Sequence, residues 1–232
     1  MDWFLANFPM VMSLTGYHLF QAVLPLVLSV IIAIPLAQLA RLNKGVAAFI
    51  LSAGSLLYTV PSLALFVILP SILGTKILDL TNIIVALTIY AVALLVRSTL
   101  DALNSVDDTI RQAAVAMGYK PVHRFLTVDL PLSMPVLFAG LRVISVSNIS
   151  LVTVGALLGV PSLGFLFTDG LQRDFPTEIV IGIIGTLVLA LLMDTALVLA
   201  QRLLTPWLRT PGRRKTSQTT TAAPVAAVGE AA

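Results

Sequence analysis

The chain has 232 residues, 58% of them hydrophobic and 11% charged, with a mean hydropathy of +1.00, against roughly 25% charged residues in ordinary soluble domains. That composition defines a membrane protein, and the absence of cysteine excludes a disulfide framework and a thiolate metal site. The net charge of +3 comes from basic residues scattered between apolar runs, which fits the positive-inside bias and not a nucleic-acid surface.

Met1 to Tyr17 carries no Lys or Arg and leads into an apolar run long enough to span. It is expected to remain as an extracytoplasmic N-terminal segment, residues 1–17, and not to be removed as a signal peptide. Apolar runs near the roughly 20 residues that cross a hydrocarbon core fall at His18 to Ala40, Val46 to Leu73, Asn82 to Val96, Pro135 to Val160 and Ile179 to Leu203. They predict an all-α polytopic membrane protein of about five transmembrane helices over residues 18–208. The third run is the shortest and borrows Leu80, Thr81 and the Arg97 to Leu100 turn. In the second, Pro61 removes a helix hydrogen bond and predicts a kink beside Ser62, with a hinge or pathway-lining role as the functional alternative.

Basic residues decide the orientation. Arg41, Lys44, Arg97, Arg111, Lys120, Arg124, Arg202, Arg209, Arg213, Arg214 and Lys215 fall on one side; only Lys76 and Arg173 fall on the other. The first side is predicted to be cytoplasmic, which puts the N-terminus outside and the C-terminus inside. Residues 209–232 are polar, Thr/Ala-rich and unpatterned, so a disordered cytoplasmic tail is expected, its basic cluster beside anionic lipid.

Within the cytoplasmic loop 101–132, Asp107 or Asp108 is placed to cap a short helix with Ile110, Ala113, Ala114 and Met117 on one face. Gly118 suits the left-handed residue that ends it, and Pro121 the first turn of a second helix. That helix would present Val122, Phe125 and Leu126 on one side, with His123, Arg124 and Asp129 elsewhere, until Leu130-Pro131 breaks it at the membrane. Pattern alone reads equally well as an interfacial elbow joining two spans.

Polar residues also enter the spans. Ser145 and Asn148 share a broad face of the fourth with Val152, Gly155 and Gly159, suited to a wet translocation pathway or to close packing and a hydrogen bond to a neighbouring helix. Arg142 and Asp194 lie inside the fourth and fifth spans and are candidates for an intramembrane ion pair. His18 and His123 stand apart from carboxylates at ligand spacing, and neither reads as a metal site.

The order Gln112-Ala113-Ala114, Gly118, Val128, Leu130-Pro131 resembles the EAA loop of ATP-binding-cassette importer permeases, which runs Glu-Ala-Ala, then Gly, then Ile, then Leu-Pro at the same spacings. Gln112 replaces the acidic residue and Val128 the isoleucine. The stretches "TVPSLALFVILPSILG" from Thr59, "IVALTIYAVALLVRSTLDAL" from Ile84, "LPLSMPVLFAGLRV" from Leu130 and "GALLGVPSLG" from Gly155 are similar to the osmoprotectant branch, the permeases for glycine betaine, carnitine or choline. Val160-Pro161 stiffen a turn that is usually glycine-rich there.

The resemblance implies the type I importer permease fold in a bacterial cytoplasmic membrane, with Gln112 to Pro131 as a coupling helix seated on an ATPase subunit. It also implies a second permease subunit and an extracytoplasmic solute-binding protein. The chain has no Gly-x4-Gly-Lys-Ser/Thr phosphate loop, so ATP and Mg are expected on the partner ATPase and neither cofactor nor catalysis on this chain. Permeation of methionine or another small solute is the alternative within the family. An ion-coupled secondary carrier would account for Asp194 but not for the motif, and a membrane scaffold would tolerate loss of the loop.

Overall fold

The computed structural model describes residues 2–208; the expected tail, 209–232, lies outside them. Every regular element among the described residues is helical. A short α1 (Asp2–Ala6) leads into α2 (Phe8–Leu42), followed by α3 (Lys44–Thr59), α4 (Ser62–Leu73) and α5 (Leu80–Asn104). Two short helices, α6 (Asp108–Ala116) and α7 (Pro121–Arg124), form an elbow, and a π-helical turn at Phe125–Asp129 passes into α8 (Leu130–Gly155). Two further helices follow, α9 (Phe165–Gln172) and α10 (Pro176–Leu204). Among the described residues, four continuous helical stretches are long and apolar enough to cross a membrane, and the sharply bent pair α3 and α4 passes the same test when taken together.

The span boundaries shift for local reasons. α2 begins at Phe8 and not at His18, because Pro9 sits in its first turn, where a missing N–H leaves no bond unmade. Its 35 residues reach about 50 Å at 1.5 Å per residue, longer than a hydrocarbon core. α5 runs from Leu80 to Asn104 and exceeds the expected Asn82 to Val96; the Asp79 carboxylate caps its start, accepting from the Thr81 N–H at 2.9 Å.

At Pro61 the change is larger than a kink: α3 and α4 are separate helices bent by 103°. The pyrrolidine ring disfavours helical geometry in the residue before it, and Val60 is extended, with φ −65° and ψ 129°. Leu130-Pro131, conversely, does not end a helix. The Leu130 N–H reaches back five residues to the Phe125 carbonyl, and this wider turn relieves the clash that Pro131 imposes on a regular α-turn. Helix therefore continues from Pro121 to Leu158.

The centre of the fold is the contact of α2, α5 and α8. Leu26 and Ala33 of α2 meet Ala91, Leu95 and Val96 of α5, and Leu137, Phe138, Leu141 and Ile144 of α8. The buried face of α2 includes the small residues Ala22, Ser29, Ala33, Ala37 and Ala40, which let backbones approach closely where lipid supplies no hydrophobic preference for protein contact. α3 buries no residue and α10 only Glu178, Gly182 and Leu189, so both lie at the periphery.

Candidate functional site

The elbow between α5 and α8 is built by local rules. Asp107 caps α6, accepting from the Thr109 N–H at 2.8 Å and from its hydroxyl at 2.9 Å. The Thr109 N–H holds the Asp107 carboxyl below the usual carboxylate range, with the Thr109 hydroxyl adding to the effect. Gly118 takes φ +83°, and the N–H groups of Gly118 and Tyr119 return to the carbonyls of Val115 and Ala114, closing α6 in a left-handed cap. Pro121 opens α7.

Of the motif residues, Ala114 is buried against the rest of the fold, Leu130 and Pro131 are half-buried, and Gln112, Ala113 and Gly118 are exposed. Val115, Met117, Val122 and Leu126 are each more than half exposed. The elbow thus exposes large apolar side chains as well as Gln112.

The elbow also holds a buried feature that the sequence reading missed. Asp129, fully buried, is faced by Arg41 from the end of α2, Arg111 from α6 and Arg124 from α7. Arg111 Nε donates to Asp129 Oδ1 at 3.2 Å, while Arg124 Nε and Arg41 Nη1 stand 3.5 and 3.6 Å from Oδ2. Arg111 also bonds Asp108 at 2.5 Å and the Leu103 carbonyl, so one guanidinium joins the end of α5, the start of α6 and the entry to α8. A carboxylate immediately before Leu-Pro, where a chain enters the membrane, was the available signal: such a group is not buried without cationic partners.

A second locality is a cavity of about 500 Å³ at the break between α3 and α4. Pro61 and Ser62 line it, together with Tyr58, Tyr90, Ser147 and Ser150. Ser145 and Asn148 do not: both are buried in the helix interior, and Asn148 Nδ2 donates to the Ala22 carbonyl at 3.3 Å. Ser147 and Ser150 lie two positions further on, roughly 200° around a helix of 3.6 residues per turn, so α8 carries hydroxyls on both faces. The buried face packs closely; a Cβ on Gly155 would stand 2.5 Å from the Ile83 side chain.

Two buried polar residues of α2 brace α8 and the turn after it. A ring nitrogen of His18 lies 3.0 Å from the Ile149 carbonyl, and Gln21 Nε2 donates to the Pro161 carbonyl at 2.8 Å. His123 instead stacks on Tyr119 with ring centroids 4.9 Å apart. Arg142 and Asp194 meet as a bidentate pair between α8 and α10, at 2.5 and 2.8 Å.

Apolar helices of this length define a polytopic membrane protein. Residues 26–210 match the model of the binding-protein-dependent transport system inner membrane component family. The chain belongs to that family, and so is a membrane-spanning transport subunit of a bacterial inner membrane.

Among its relatives, the osmoprotectant import permease protein OsmW of Salmonella typhimurium is 33% identical over 84% of this chain and 91% of the relative. The glycine betaine/carnitine/choline transport system permease protein OpuCB of Bacillus subtilis is 29% identical over 83% and 87%. In fold, the chain is similar to one from the MetNI methionine ABC transporter in an inward-facing conformation. The TM-score is 0.74 at 20% identity, covering 86% of this chain and 98% of that one.

Proposed function

We propose that this chain is the permease subunit of an ATP-driven importer for a compatible solute: glycine betaine, choline or carnitine. Its basic end faces the cytoplasm, where Gln112 to Pro131 sits on a separate ATPase that binds ATP and Mg and performs the hydrolysis. A second permease subunit, identical or a sister chain, completes the pathway, and an extracytoplasmic binding protein delivers the solute. The observation that carries this reading is the elbow itself. Val115, Met117, Val122 and Leu126 there are each more than half exposed, large apolar side chains of the kind a protein partner covers, and the arginine cluster on Asp129 ties the elbow to α2, α5 and α8.

In the mechanism, nucleotide-driven closure of the ATPases pulls the elbow, and the helices behind it alternate access to the pathway. This chain positions and moves; no bond of the solute is made or broken. The solute class is supported by relatives named for osmoprotectant import and for glycine betaine, carnitine and choline transport, aligned over most of their length. The likeness to the methionine transporter is one of fold and does not move that assignment.

The test is uptake into vesicles reconstituted with the partner ATPase and binding protein. ATP-dependent accumulation of at least one of the three solutes is expected. Uptake that persists without the ATPase would instead identify an ion-coupled carrier, and uptake of methionine alone would overturn the solute class.

A further inference from the structure

Resting on that solute reading, we propose that the cavity at the α3–α4 break is a transit subsite for a quaternary ammonium head group, with Tyr58 as its recognition surface and Tyr90 as its fixed wall. None of the residues lining the cavity is charged. A quaternary ammonium has no N–H to donate, so it is held by aromatic faces and by oxygen dipoles. A site on a transport route must also release its solute, which favours several weak contacts over one carboxylate.

The two rings are arranged for this. Tyr90 is buried and its hydroxyl donates to the Val60 carbonyl at 2.5 Å, fixing the ring against the break. The ring of Tyr58 stands near-perpendicular to it, at 86° with centroids 5.9 Å apart. A perpendicular pair leaves π surface uncovered where a stacked pair would close it, and Tyr58 remains half-exposed beside the cavity.

The end of α3 adds oxygen dipoles of the required sign. Of its last four carbonyls, that of Leu56 accepts from the Thr59 hydroxyl and that of Leu57 from the Val60 N–H. Those of Tyr58 and Thr59 lie beyond the helix ladder, because the 103° bend carries the N–H groups of Ser62 and Leu63 away from them. The negative end of the α3 dipole therefore meets the cavity that Tyr58 and Thr59 line. Across it, Ser147 and Ser150 of α8 supply hydroxyls for the polar remainder of the solute.

The experiment uses the complete permease and ATPase assembly in lipid nanodiscs for binding of radiolabelled choline without the binding protein. The same assembly in proteoliposomes with the binding protein measures uptake. Wild type is expected to bind choline saturably, without competition from its neutral carbon isostere. Tyr58→Phe, which keeps the ring, stays within about twofold of wild type, whereas Tyr58→Leu weakens binding and slows uptake by about tenfold. Because Tyr58 is half-exposed, the thermal unfolding midpoint of the purified assembly stays at the wild-type value in both variants, which reports intact folding and assembly.

Choline uptake by wild type with Tyr58→Leu unaltered in binding and uptake overturns the subsite and leaves the transport reading standing. Equal competition by the neutral isostere overturns the ammonium recognition. Failure of wild type to take up choline, carnitine or glycine betaine overturns both proposals together.

Discussion

Arg111 and Asp129, 18 residues apart in sequence, meet at 3.2 Å across the elbow, with the carboxylate fully buried. Arg41 and Arg124 approach the same carboxylate, so Asp129 is the common counter-charge of three helices. Asp129→Asn preserves shape but leaves three guanidiniums facing one another. Removing one partner of a buried ion pair costs about 3 kcal/mol or more, so the purified variant should unfold several degrees lower, with uptake lost. Arg41→Met, which removes a longer contact and leaves two arginines in place, should be milder. Equal thermal midpoints for Asp129→Asn and wild type would contradict the role given to Asp129.

Gly118 is constrained by conformation, not by space. Its φ is +83°, and nothing lies within 4 Å of a Cβ built there. A left-handed backbone costs an L-residue about 1–2 kcal/mol, and a β-branched residue is the least suited to it. Gly118→Val should therefore shift α6 against α7 and lower solute moved per ATP hydrolysed, while Gly118→Asn should be tolerated better. Gln112→Glu, at an exposed position, should leave coupled uptake unchanged. Normal coupling in Gly118→Val would show that the turn does not set the geometry of the ATPase contact.

Arg142 and Asp194 form a bidentate contact that holds the peripheral α10 against α8. Asp194→Asn should loosen α10, measured as earlier thermal unfolding in detergent. The exchanged pair Arg142→Asp with Asp194→Arg should recover part of that loss. A double variant no better than either single change would mean that the two residues act separately.

The Asp107 cap carries a pH dependence. Because its folded pKa is lowered, the stabilisation is present above the unfolded carboxyl value near about 3.9 and is lost as pH falls through the lower folded value. Hydrogen-exchange protection at the Thr109 amide, corrected for the intrinsic rate, should stay constant from neutral pH down to about pH 4 and then decline. Asp107→Asn, still a capping side chain, should give a flat profile. A decline in wild type near pH 6 would assign the effect to another group.

Much of the elbow was legible before any tertiary contact was known. The α6 cap, which falls on Asp107 of the two aspartates offered, the left-handed Gly118 and Pro121 at the start of α7 stand where the sequence places them, because caps and φ preferences act within three or four residues. The same local chemistry was under-read at Pro61 and over-read at Pro131. In one, Val60 left the helical region and the helix broke; in the other, a π-turn absorbed the ring.

The sequence by itself determined that this is a helical membrane protein, roughly where its spans lie, and that a capped, glycine-hinged elbow bears the permease motif. Tertiary structure alone decided which faces are inside. Ser145 and Asn148 are buried while Ser147 and Ser150 line the cavity, and Asp129 gathers arginines from distant parts of the chain. The reason is the solvent. In water an apolar stripe marks the buried face of a helix, but lipid is as apolar as a protein core, so hydropathy locates a span without saying which side meets its neighbours.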